Sequence, residues 1–120
     1  MRILLLETDR VCAAHLKLLL ELRGHSVTRT IEETEPPDAM IVALPAPLGL
    51  SPEKLQDVPL LLLVDGMLPF GELESWIENR RRWALLSKPV REESLDRSLE
   101  RITRPRSDAG DEAPGARPRR

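Results

Sequence analysis

Arg2-Ile3-Leu4-Leu5-Leu6-Glu7-Thr8-Asp9 is the stretch on which the fold turns. Four apolar residues in unbroken succession, stopped by acids, have the pattern of a short strand buried on both faces, as in a parallel sheet. Thr8 or Asp9 can then cap a helix in which Cys12, Leu16, Leu19 and Leu20 recur at helical spacing, with Gly24 as a left-handed stop. A helix over 9–23 is the expectation.

Working outward, Ser26-Val27-Thr28 is β-prone, and Ala39-Met40-Ile41-Val42-Ala43-Leu44 is a second fully apolar run. Pro45, Pro47 and Gly49 force a loop, after which Ser51 as cap and Pro52 at the first helical position predict a short helix carrying Leu55. Val58-Pro59-Leu60-Leu61-Leu62-Leu63-Val64 is the most apolar strand and is expected at the centre of the sheet. Asp65, Gly66 and Pro69 break the chain before a helix over 71–81 with Leu73, Trp76 and Ile77 as its apolar stripe. Trp83-Ala84-Leu85-Leu86 reads as a fifth strand, Lys88-Pro89 follows, and a final helix over 92–102 turns Leu95, Leu99 and Ile102 inward. Buried strands alternating with helices imply an α/β three-layer sandwich on a five-stranded parallel sheet with right-handed crossovers. The second and third helical segments are shortened, which leaves one sheet face thinly covered and open to a docking partner. Ligands of such sheets sit at the carboxyl ends of the strands.

The 120 residues suit one domain. The domain is expected to span 1–103, followed by an Arg/Pro-rich tail over 104–120 too poor in apolar residues to offset the entropy of ordering. Residues 1–100 carry 12 basic and 17 acidic side chains, whereas 101–120 carry 6 arginines against 3 acids. With no Tyr, one Phe and two Trp, the chain lacks the aromatic platforms of single-strand nucleic-acid binders, and nucleic acid is not an expected partner. Cys12 has no second cysteine to pair with, and two histidines supply no zinc-ligand cluster, so no metal or other cofactor is expected and a reducing cytoplasm fits. No apolar run approaches signal-peptide or membrane-spanning length.

The opening segment, Gly24-His25-Ser26-Val27, Pro37-Asp38, Val58-Pro59 and Ser87-Lys88-Pro89-Val90, taken in order, resemble a response-regulator receiver domain of the chemotaxis type. That resemblance implies a flavodoxin-like sheet and a pocket built from two acids after strand one, a nucleophilic Asp after strand three, a hydroxyl after strand four and a Lys after strand five. Glu7 matches the first acid and Lys88, with Pro89, the lysine. Thr8 stands at the second acid, Ala43 at the phosphoacceptor, Val64 at the hydroxyl and Leu85 at the aromatic switch position. An aspartyl phosphate needs a carboxylate nucleophile, and alanine offers a methyl group. The resemblance therefore implies a degenerate receiver, not an enzyme, that binds a signalling or regulatory protein, a second copy included, without phosphorylation. It also implies that Lys88-Pro89 is a cis peptide.

Other residues carry competing readings. Glu7, Asp9, Asp65 and Lys88 could form an acidic cluster that holds a divalent cation or ligand, or could cap helices and pair internally. Trp76, Arg80, Arg81, Arg82 and Trp83 gather the residue types enriched at protein interfaces. Val11, His15, Leu18 and Leu22 form a second apolar stripe on the first helix, either packed against the last helix with His15 partly buried or offered to a partner helix.

Overall fold

A computed structural model describes residues 1–30, 35–46, 52–53, 55–66 and 70–104. The tail beyond Arg104 and Ser51, the expected cap, lie outside the described residues. Along the chain run β1 (Arg2–Leu6), α1 (Arg10–Leu22), β2 (Ser26–Thr28), β3 (Ala39–Ala43), β4 (Leu60–Val64), α2 (Phe70–Ile77), β5 (Trp83–Ser87) and α3 (Glu92–Thr103). The strands form one parallel sheet in the order β2-β1-β3-β4-β5. Both β3 and β4 are buried along their whole length, as unbroken aliphatic runs require. The centre belongs to β3 and not, as hydropathy ranking suggested, to β4, which lies between β3 and β5.

Alternate residues of each strand feed two cores. Ile3, Leu5, Ile41, Leu61 and Leu63 pack with Leu16 and Leu20 of α1 and Leu95, Leu99 and Ile102 of α3. Leu4, Met40, Val42, Leu60 and Leu62 pack on the other face with Trp76 of α2 and with Val58, Leu55, Leu73 and Ile77. Two helices on one face and one on the other give the expected three layers. On the face expected to be thinly covered, the strand residues Leu4, Met40, Val42, Leu60 and Leu62 are nevertheless all buried.

Caps explain the boundaries of α1. Asp9 Oδ1 accepts from the Cys12 amide at 3.0 Å, a side-chain N-cap. At the other end of α1, Gly24 N–H donates to Glu21 O and His25 N–H to Leu20 O, the paired bonds of a Schellman motif, with Gly24 at φ +89°.

Two expected helices are corrected. The short helix after Pro52 is not formed: Pro52, Glu53 and residues 55–57 are turns, and Leu55 sits at φ +57°, which no right-handed helix accommodates. The helix expected over 71–81 ends at Ile77, because Asn79 takes φ +66° and reverses the chain; Arg80 and Arg81 therefore leave the helix.

Candidate functional site

The carboxyl ends of the strands converge on one edge. Register places Leu6 beside Val42, Ala43 beside Leu63 and Val64 beside Ser87, so the turns that follow β1, β3, β4 and β5 meet there. Glu7 follows β1, Ala43 ends β3, Val64 ends β4, and Lys88 follows β5, its amide donating to Val64 O at 2.8 Å. Lys88-Pro89 is cis, as is Leu44-Pro45.

Glu7 is the buried acid of this edge, at 4% exposure. Its Oε2 accepts from the Asp9 amide at 3.0 Å, and its Oε1, out of reach of solvent, faces Lys88 Nζ at 2.6 Å. Burial pushes the Glu7 carboxyl up, but Lys88, the Asp9 amide and the Cys12 thiol outweigh it and hold the group below the ordinary glutamate value. Burial likewise pulls the Lys88 ammonium down, and Glu7 more than restores it, so Lys88 lies above its ordinary value. The Cys12 thiol, burdened first by burial and then by the neighbouring Glu7 carboxylate, is pushed up to about 11. Cys12 is thus a neutral wall of the site and a poor nucleophile.

The other expected pocket residues divide by exposure. Ala43 and Val64 are buried and contribute only aliphatic surface, while Thr8, Asp9 and Asp65 are exposed and Leu85 projects from β5. Asp9 is engaged as the α1 cap, and Asp65 borders an open pocket of ≈ 280 Å³ with Cys12, His15, Leu16, Lys88, Pro89 and Val90. The expected cluster is grouped but engaged internally: Glu7 pairs with Lys88, Asp9 caps α1, and Asp65 shares the pocket with Lys88. Among the described residues no three His, Cys, Asp or Glu side chains come together as metal ligands would.

Two residues bind the edge together without having stood out in the sequence. Arg29, just beyond β2, donates through Nε to Leu5 O at 2.9 Å and through a terminal nitrogen to Glu7 O at 2.6 Å. Glu72 of α2 accepts from the Ala46 amide at 2.8 Å, tying down the turn after β3. Each bond joins positions more than twenty residues apart, so no local pattern announces it.

The Trp/Arg group is only partly a surface. Trp76 is 1% exposed and Arg80 7%, which corrects their assignment to a protein interface. Arg80 lies 5.9 Å from the Trp76 ring and donates to the carbonyls of Trp76, Leu55, Val58 and Pro52. Arg81 and Trp83 are exposed, and Arg82 reaches toward the carbonyls of Ile102 and Arg104. On α1 the second stripe does not pack against α3: Val11, Leu18 and Leu22 are 80%, 55% and 69% exposed, and His15 is exposed rather than partly buried.

No helix among the described residues is long and apolar enough to cross a membrane. No protein-family model and no curated protein matches the chain. Solved structures do. The signal receiver domain of a modulated diguanylate cyclase from Desulfovibrio desulfuricans superposes with a TM-score of 0.68 at 21% identity, over 85% of this chain and 92% of that one. The receiver domain of a sensor histidine kinase from Pseudomonas aeruginosa, crystallised with magnesium in its active-site cleft, gives 0.67 at 23% identity, over 85% and 96%. A CheY-like receiver domain protein from Methanospirillum hungatei gives 0.67 at 18% identity, over 82% and 90%. Parallel five-strand order, the site at the strand ends and these likenesses together show that the chain has the fold of response-regulator receiver domains.

Proposed function

We propose that the chain is a receiver-type signalling or scaffold module that binds a protein partner without being phosphorylated, and that it is not an enzyme. One observation carries the reading: Lys88 is neutralised by Glu7 at 2.6 Å, at a strand edge where position 43 presents a methyl group in place of a carboxylate. Phosphoryl transfer to a receiver needs an acidic nucleophile and a free cation to meet the incoming charge, and Ala43 and the engaged Lys88 provide neither. Val64 in place of a hydroxyl and Leu85 in place of an aromatic remove the parts by which phosphorylation would be reported.

Magnesium does not suit these residues. Hard divalent cations want closely set oxygen ligands, and here Glu7 is paired, Thr8 is uncharged and Asp9 caps a helix. A divalent-metal site at Glu7, Asp9 and Asp65 therefore has no geometric support. An unpaired Cys12 agrees with a reducing, cytoplasmic setting.

Incubating the full chain with acetyl phosphate and Mg²⁺, then weighing it intact at neutral pH, tests the proposal. The expected mass is unchanged. A stoichiometric gain of one phosphoryl group, discharged by hydroxylamine, would overturn it.

A further inference from the structure

We infer that α1 is a self-association surface, on which a second copy of this chain docks its own α1 in antiparallel fashion. Val11, His15, Leu18 and Leu22 follow one another at spacings of 4, 3 and 4, the alternation of a coiled-coil seam, and α1 leaves this seam in solvent. Leu16 and Leu20, on the opposite side, are spent on the sheet. A helix that buries one stripe and exposes a second of seam geometry is built to meet another helix.

Complementarity under a two-fold axis selects a second copy. Set antiparallel, the seam pairs Val11 with Leu22 of the second copy and His15 with Leu18, each contact occurring twice, as an isologous interface demands. The smaller Val11 then meets the larger Leu22 at both ends. One flank of the seam carries Arg10, Ala14, Lys17 and Glu21. In this register Arg10 of one copy lies about 3 Å along the axis from Glu21 of the other, at 1.5 Å rise per residue. The two reciprocal Arg10–Glu21 pairs follow, and Ala14 leaves room for close approach. Glu21 would sit between that Arg10 and its own Lys17, 3.1 Å away. The two Lys17 come about 1.5 Å apart along the axis, each held by its own Glu21; a parallel arrangement would turn this flank away from its own copy and leave Arg10 without Glu21.

Other occupants fit less well. Residues 105–120 contain no Leu, Ile, Val, Met, Phe or Trp and cannot fill an apolar seam. A lipid surface would favour a basic flank, whereas this one is mixed and the body of the chain is acidic. An interface of one thirteen-residue helix face is small, which makes the dimer weak and reversible.

Sedimentation equilibrium of the full chain over a concentration series tests the inference. Monomer at low micromolar concentration is expected to give way to dimer on the order of 100 µM, the regime of small transient interfaces. Leu18→Glu, at an exposed position, is expected to abolish association with circular dichroism and thermal midpoint unchanged. Arg10→Glu is expected to weaken association several-fold, and Arg10→Glu with Glu21→Arg to restore it. A monomer at every concentration, a dimer indifferent to Leu18→Glu, or a double variant no better than Arg10→Glu alone would overturn the inference. Phosphoryl labelling and self-association are read on different residues, so either proposal can fail without the other.

Discussion

Glu7 and Lys88 illustrate how one pair sets the pH range of a small domain. Folding lowers the Glu7 carboxyl, so its contribution is complete above the unfolded value of 4.5 and is lost as pH falls through the lower folded value. Folding raises the Lys88 ammonium, whose contribution is complete below 10.5 and is lost as pH rises through the higher folded value. Cys12 acts earlier on the alkaline side. Its thiol stays protonated in the fold up to about 11 but ionises near 9.0 when unfolded, so stability declines across that interval. Burial and then the N-terminal ammonium hold His25 below its ordinary value of 6.5, so stability also begins to fall below that pH. Urea unfolding across pH is expected to give a plateau from about 6.5 to 9, with Cys12→Ala softening the alkaline limb and moving the acid limb little. Lys88→Ala, which strands a buried carboxylate, is expected to cost on the order of 3 kcal/mol at pH 7 and to bring the acid limb up toward the ordinary glutamate value.

Among the elements, the β3–β4 connection departs furthest from what the chain announces. Ser51-Pro52 is a helix start in the abstract, yet Pro52, Glu53 and residues 55–57 are turns, and their carbonyls need donors from elsewhere. Arg80 supplies them: one buried guanidinium gathers the oxygens of Pro52, Leu55, Val58 and Trp76, work that intrahelical amides would have done. Arg80→Lys is expected to lose about 2–3 kcal/mol in urea unfolding, nearly as much as Arg80→Ala, because a point charge cannot replace a planar fork with several donors. The strands and α1 were legible because local signals agree there: unbroken aliphatic runs, Asp9 before the helix and Gly24 after it. Arg80 and Trp76 were misread because Arg and Trp are at home both on interfaces and around buried carbonyls, and composition does not separate the two. Arg29 and Glu72 were missed because their partners are remote in sequence.

At the scale of the molecule, the sheet ends in two unequal edges. On one side β2 is three residues long; on the other, β5 is five, with Trp83 and Leu85 turned outward. An exposed apolar edge invites pairing with other chains. Arg81 and Arg82 stand before it, and Ser87-Lys88-Pro89 closes it with a residue that has no amide proton to donate. Arg81→Val combined with Ser87→Val is therefore expected to leave the unfolding free energy within about 0.5 kcal/mol while markedly raising light scattering during refolding.

Arg29 has a consequence of its own. Its guanidinium rests on the carbonyls of Leu5 and Glu7, a fixed cation covering the negative end of the first strand, while Lys88 answers the carboxylate beside it. Both positive charges at this edge are covalently part of the chain, so nothing dissolved has to be recruited to balance it. On the proposed reading, a chelator, a rise in magnesium or a change in phosphate supply leaves the module as it was. Its influence would then be metered by how many copies a cell makes and by what those copies meet.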